Sequence, residues 1–166
     1  SNAAGGNTNC NIICTDKADN IKYSLDEWVK LGKVTPEVSS ALQQSASRNI
    51  PISDFETQLA QLVRENKLAP EQARELLDRY KRQYKNNLLE ASAVEMDKQI
   101  KSGNLPLEVA SQLLEAQKNE IPAYEYDAKL QSLVSDGKIT PEVARELSDQ
   151  YTKQMAQEAT NARVSD

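Results

Sequence analysis

The sequence contains no histidine, and that absence removes more chemistry than any other feature of the chain. Histidine is the commonest general base and a principal zinc ligand. Only two cysteines are present, Cys10 and Cys14. A tetrahedral zinc site needs about four ligands. A zinc centre of the usual Cys and His type within one chain is therefore excluded. Gly (5) and Pro (6) are scarce, and Phe and Trp occur once each. Stretches rich in β-branched residues are few, so strands have little to build on. No long apolar run exists, which leaves this segment without a membrane span. The net charge of −5 lacks the basic balance of a nucleic-acid binder.

What is present favours helix. Ala, Leu, Glu, Gln and Lys dominate, and these are the strongest helix formers. The chain is 39% hydrophobic and 27% charged. That is apolar material enough for a core beneath an ordinary solvated surface. Ser1-Asn2-Ala3 reads as the scar of a cleaved tag and is set aside. A leader or anchor upstream could have been trimmed with it.

Slid over itself until Ile50 falls on Ile121, the sequence matches without a gap. Pro51 then falls on Pro122, and Lys67-Leu68-Ala69-Pro70-Glu71 on Lys138-Ile139-Thr140-Pro141-Glu142. From Leu25 to Gln83, 22 of 59 positions are identical. This pattern predicts an all-α fold of tandem-duplicated helix–turn–helix hairpins. Each copy halves again, since Gly32-Lys33-Val34-Thr35-Pro36-Glu37 resembles Asn66-Lys67-Leu68-Ala69-Pro70-Glu71.

Turn chemistry sets the element boundaries. Gly32, Asn66, Gly103 and Gly137 suit the left-handed residue that closes a helix. Thr35-Pro36-Glu37 and Thr140-Pro141-Glu142 read as N-cap, first helical residue and first-turn acid. Ser53 and Glu56 are spaced as a capping box. Helices are expected near 24–31, 37–48, 53–65, 70–101, 107–119, 123–135 and 141–160. The expected organisation is an N-terminal arm over 1–22, a first copy over 23–89, a second over 90–160 and a disordered tail over 161–166.

The helix over 70–101 would end one copy and begin the next. Ala73, Leu77, Tyr80, Tyr84, Leu88 and Ala91 form its expected apolar stripe, extended by Met96 and Ile100. The alternative is a break at Asn86-Asn87, because paired Asn suits a helix interior poorly. Leu62, Leu76, Leu133 and Leu147 are expected in the hairpin cores.

Candidate sites are few. Asp136-Gly137-Lys138 looks like half of a calcium loop, but loop positions three and twelve would be Val134 and Val143. Oxygen ligands are needed at both. Glu142 and Glu146 share a helix face as a solvated pair would. Arg79, Lys81, Arg82 and Lys85 surround Tyr80 and Tyr84, which reads as a charged face over a core stripe. No catalytic residue, metal site or cofactor is expected, and the chain is read as no enzyme. Cys10 and Cys14 are candidates for a disulfide, within or between chains, or are two free thiols. Trp28, which falls on Gln99, either packs against the second helix or anchors a partner. Phe55 and Tyr126 are the other candidate partner-binding side chains.

The tandem Gly-Lys-apolar-Thr-Pro-Glu units, following a short Cys-containing stretch, resemble one known family. This is the helical-repeat region of the DotG/IcmE component of Dot/Icm-type (type IVB) bacterial secretion systems. The resemblance rests on Asn49-Ile50-Pro51 with Leu59, Leu62 and Val63, on Lys67 to Arg74, and on Leu105 to Ala110, within residues 10–154. It implies a structural, protein-binding segment of an envelope-spanning translocation machine, on the periplasmic side of a membrane-anchored parent. The implied partners are other subunits or further copies of the chain, with no nucleic acid and no membrane insertion by this segment. No catalytic or ligand residue is implied. A generic helical adaptor or oligomerisation domain, in a cytoplasmic or phage-type assembly protein, is the alternative.

Overall fold

The computed structural model describes the backbone of residues 20–165 and the side chains of 20–158. Among the described residues the protein is all-α, with seven helices and no strand. They are α1 (Ile21–Lys30), α2 (Pro36–Ser47), α3 (Ile52–Arg64), α4 (Pro70–Lys101), α5 (Leu107–Lys118), α6 (Ala123–Ser135) and α7 (Pro141–Ser165). Two compact units result among the described residues, one of residues 20–86 and one from Asn87 onward to Ala159. The cut falls inside α4, which runs unbroken through Asn86-Asn87.

The turns end helices where their sequence says they should. Gly32, Asn66, Gly103 and Gly137 have φ of 72°, 59°, 79° and 76°. At Gly137 the closing bonds are complete: Gly137 N donates to Val134 O at 3.0 Å and Lys138 N to Leu133 O at 2.9 Å. A side chain at that φ would be strained, and Gly avoids the cost. The residue two beyond each of these four turns in, so that Val34, Leu68, Leu105 and Ile139 are all buried. Thr35 and Thr140 then cap α2 and α7, each Oγ1 accepting from the amide three residues on at 3.2 Å.

The second kind of turn departs from expectation at its start. Ser53 and Glu56 form no capping box. Pro51 is the N-cap of α3, without a side-chain cap, and the helix begins at Ile52. Ile52 is buried, so the first turn is wound one residue early to bring it inward. Asn49 and Glu120 precede these turns with φ of 54° and 56°. Asn tolerates that conformation, while Glu120 carries a cost of about 1–2 kcal/mol. The tie that holds the turn comes from far along the chain. Tyr80 Oη donates to Ile50 O, and Tyr151 Oη donates to Ile121 O, both at 2.6 Å. Pro51 and Pro122 have no amide hydrogen, and the preceding carbonyls are met by these phenols instead.

Three further expectations change. α1 begins at Ile21, inside the stretch assigned to the arm, with Asn20 Oδ1 accepting from Lys22 N at 2.9 Å. α7 continues to Ser165, into the segment expected as a tail. The apolar stripe of α4 is not one line. Leu76, Tyr80 and Tyr84 are buried, but the next buried residues are Leu89, Ser92, Ala93 and Met96, with Leu88 only half-buried and Ala91 exposed. The register therefore shifts between Tyr84 and Leu89, because each unit buries its own part of α4. Ala93 and Met96 belong to the core of the second unit, with Val109, Leu113, Leu130 and Leu147. Leu76 and Leu147 are buried as expected, whereas Leu62 and Leu133 are half-buried in the last turns of α3 and α6.

Candidate interaction surfaces

The three aromatic side chains singled out for partner binding separate into two classes. Phe55 and Tyr126 are both 0% exposed and cannot meet a partner, which corrects their assignment. The Phe55 ring stacks on Tyr80 with centroids 4.1 Å apart, and Tyr126 lies 4.2 Å from Tyr151. They are equivalent core contacts, one in each unit. Trp28 is half-buried on α1 and stays accessible over part of its surface. Cys10 and Cys14 lie outside the described residues.

The exposed large apolar side chains are others: Tyr23, Leu31, Val94, Leu107 and Tyr124. Tyr124 is the most open of them, at 78%. Tyr23 and Val94 are related by the same offset that lays Ile50 on Ile121, so both units carry an apolar side chain outward at that register. That match was visible in the sequence.

Open grooves mark the described surface, each within one unit. One lies between α1 and α2, with Asp26, Lys30, Ser39 and Gln43 on its walls. Gln43 Nε2 donates to Ser39 Oγ at 2.8 Å, and Lys22 Nζ lies 2.6 Å from Asp26 Oδ2. Hydrogen bonding from Lys22 holds the Asp26 carboxyl below the usual range. Another, in the unit of Asn87–Ala159, is lined by Glu95, Gln99, Glu146, Asp149, Gln150 and Lys153. A further one runs along α5 and α6 past Glu115, Asn119, Glu125 and Lys129. None of these carries a nucleophile with an adjacent base. Among the described residues no group of three or more His, Cys, Asp or Glu side chains is placed to hold a metal ion. No helix among the described residues is long and apolar enough to cross a membrane.

Tyr80 and Tyr84 are buried, so they offer no ring face to a nucleic-acid base. The basic residues beside them remain a charged surface over an aromatic core. Burial raises the Tyr80 phenol and pushes Tyr126 and Tyr151 up to about 12. In the unfolded chain each ionises near 10. The folded state therefore holds these protons more tightly. The stability this contributes is fully present below about pH 10 and is lost as pH rises toward about 12. Urea midpoints are expected to fall steeply over that window, with phenolate absorbance and loss of helical circular dichroism rising together. Phenolate appearing near pH 10 with the helices intact would show the rings to be accessible.

No protein family, curated protein or solved structure matches the chain in any of the three comparisons.

Proposed function

We propose that the chain is a structural and protein-interaction module of a bacterial cell-envelope secretion complex, of the kind that the helical-repeat region of the type IVB component DotG/IcmE provides. One observation carries the reading. The turn residues that bear the resemblance are the same residues that build two helical units, at matching positions in each, with open grooves and outward apolar side chains. We read the repetition as tandem duplication. Three features recur at the one offset: Gly32 and Gly103 as helix ends, Asn66 and Gly137 as helix ends, and the Tyr80–Ile50 and Tyr151–Ile121 hydrogen bonds.

Repeated helical hairpins present extended surfaces for partners rather than enclosed pockets for substrates. The module would stand on the periplasmic side of a membrane-anchored parent and bind other subunits or other copies of itself, turning over no small molecule.

Deleting residues 24–154 in frame from the native gene tests this. The expected result is a smaller or less abundant envelope complex and reduced cargo passage. Normal complex size with normal transport would reduce the segment to a passive spacer. Native co-purification with cytoplasmic partners alone would favour the adaptor alternative.

A further inference from the structure

The two units are built alike but charged differently. Residues 20–86 hold eleven Lys and Arg against nine Asp and Glu, a net of +2. Residues 87–159 hold seven against thirteen, a net of −6. Units with the same turn chemistry have no need of opposite charge in order to fold. The difference lies on their surfaces.

Part of it falls on one helix register. Arg79, Lys81 and Lys85 of α4 fall on Gln150, Thr152 and Ala156 of α7, so three cations vanish in the second unit. Ser24 falls on Glu95, so an anion is gained there. The consequence is visible at a pair of equivalent carboxylates. Glu75 lies 3.4 Å from Arg79 Nε and accepts from Ser24 Oγ at 2.8 Å. Its counterpart Glu146 has Gln150 in the place of that arginine, and accepts from the neutral Gln99 amide at 3.4 Å. Glu146 lies with Glu95 and Asp149 along one open groove, whose lining among the described residues includes a single cation, Lys153. Glu95 has Lys98 3.3 Å away. The groove is thus an anionic surface whose intramolecular arginine has been replaced, and the corresponding positions of the other unit hold Arg79 and Arg82 beside Glu75 and Asp78, with Lys81 and Lys85 next to them on α4.

We propose that the chain associates head to tail with a second copy of itself, the run of cations Arg79, Lys81, Arg82 and Lys85 on α4 of one copy, which has no acid among them, meeting the Glu95–Glu146–Asp149 groove of the other. This rests on the interaction-module reading above and names the partner. Two different surfaces meet in such a contact, so each copy keeps one of each to offer further copies. Opposed charge raises the encounter rate and fixes which surface is met.

Sedimentation velocity on the native chain tests it. In about 50 mM salt the protein is expected to associate with rising concentration, and the dissociation constant is expected to increase about tenfold or more by about 500 mM salt as the charges are screened. Arg79→Glu with Arg82→Glu, and separately Glu146→Lys with Asp149→Lys, should each leave a monomer, and mixing the two variants should restore association. Far-ultraviolet circular dichroism checks that both fold. Should the first variant not fold, Lys81→Glu with Lys85→Glu serves on the same helix. A native chain that is monomeric at every concentration in low salt overturns the proposal. So does association indifferent to salt and to either reversal. A strictly monomeric chain that still retains envelope partners on co-purification overturns self-association alone and leaves the module reading standing.

Discussion

Truncating Leu76 or Leu147 to alanine is expected to cost about 2–5 kcal/mol each, the range for deleting a buried leucine side chain. Leu76 is 0% exposed and Leu147 3%. Both lie two turns into the helix that follows a Lys-apolar-x-Pro-Glu turn, four residues before the tyrosine that ties down the second kind of turn. The void left would sit beside that tyrosine, so relaxation would come at the expense of the Tyr–carbonyl bond. Leu62 and Leu133 provide the internal control. They occupy equivalent positions in the last turns of α3 and α6 but are half-buried. Less surface is removed from water there, and solvent can enter the space, so about 1–2 kcal/mol is expected. Urea denaturation of the four single variants should order them by burial and match them in pairs across the offset. Equal costs at Leu62 and Leu76 would mean that these helices pack on another face.

Much of this was legible in the chain itself, because most of the boundaries are set locally. A left-handed Gly or Asn, a buried apolar residue and a Thr-Pro-Glu start act over one short turn, and such signals placed most helix ends to within one residue. Failures came where tertiary packing chose among locally acceptable options. Ser53 is a sound N-cap by type, yet burying Ile52 started the helix sooner. Leu88 and Leu89 are both suitable core residues of α4, and only the packing of the second unit decides against the apolar line through Leu88 and Ala91. Phe55 and Tyr126 were misassigned although the signal was there. Each lies four residues before a core leucine, Leu59 or Leu130, and so shares its face. The charge difference between units was also present in the sequence, but it has meaning only once the cut inside α4 is known.

The positions matched by the offset differ in one buried pair, and that difference supplies the second large effect. In the first unit Ala46 and Phe55 are buried; at the matching positions of the second, Gln117 and Tyr126 take their places, 2% and 0% exposed. Gln117 Nε2 donates to Tyr126 Oη at 2.9 Å, while Gln117 Oε1 has no hydrogen-bond partner. The polar pair is therefore only partly compensated in the core. Breaking half of it is worse than removing it, because a buried polar group left unmet carries its full desolvation cost. Tyr126→Phe strands the Gln117 amide and is expected to cost about 1–3 kcal/mol. Gln117→Ala strands the Tyr126 hydroxyl and leaves a space, with a similar cost. The double variant Gln117→Ala/Tyr126→Phe transplants the solution of the first unit and strands nothing. It should be no less stable than either single variant, giving a coupling of about 1–2 kcal/mol in a double-mutant cycle. Urea denaturation of the four chains measures it. Costs that simply add would show that the hydrogen bond contributes nothing, and that the second unit tolerates the glutamine for its volume alone.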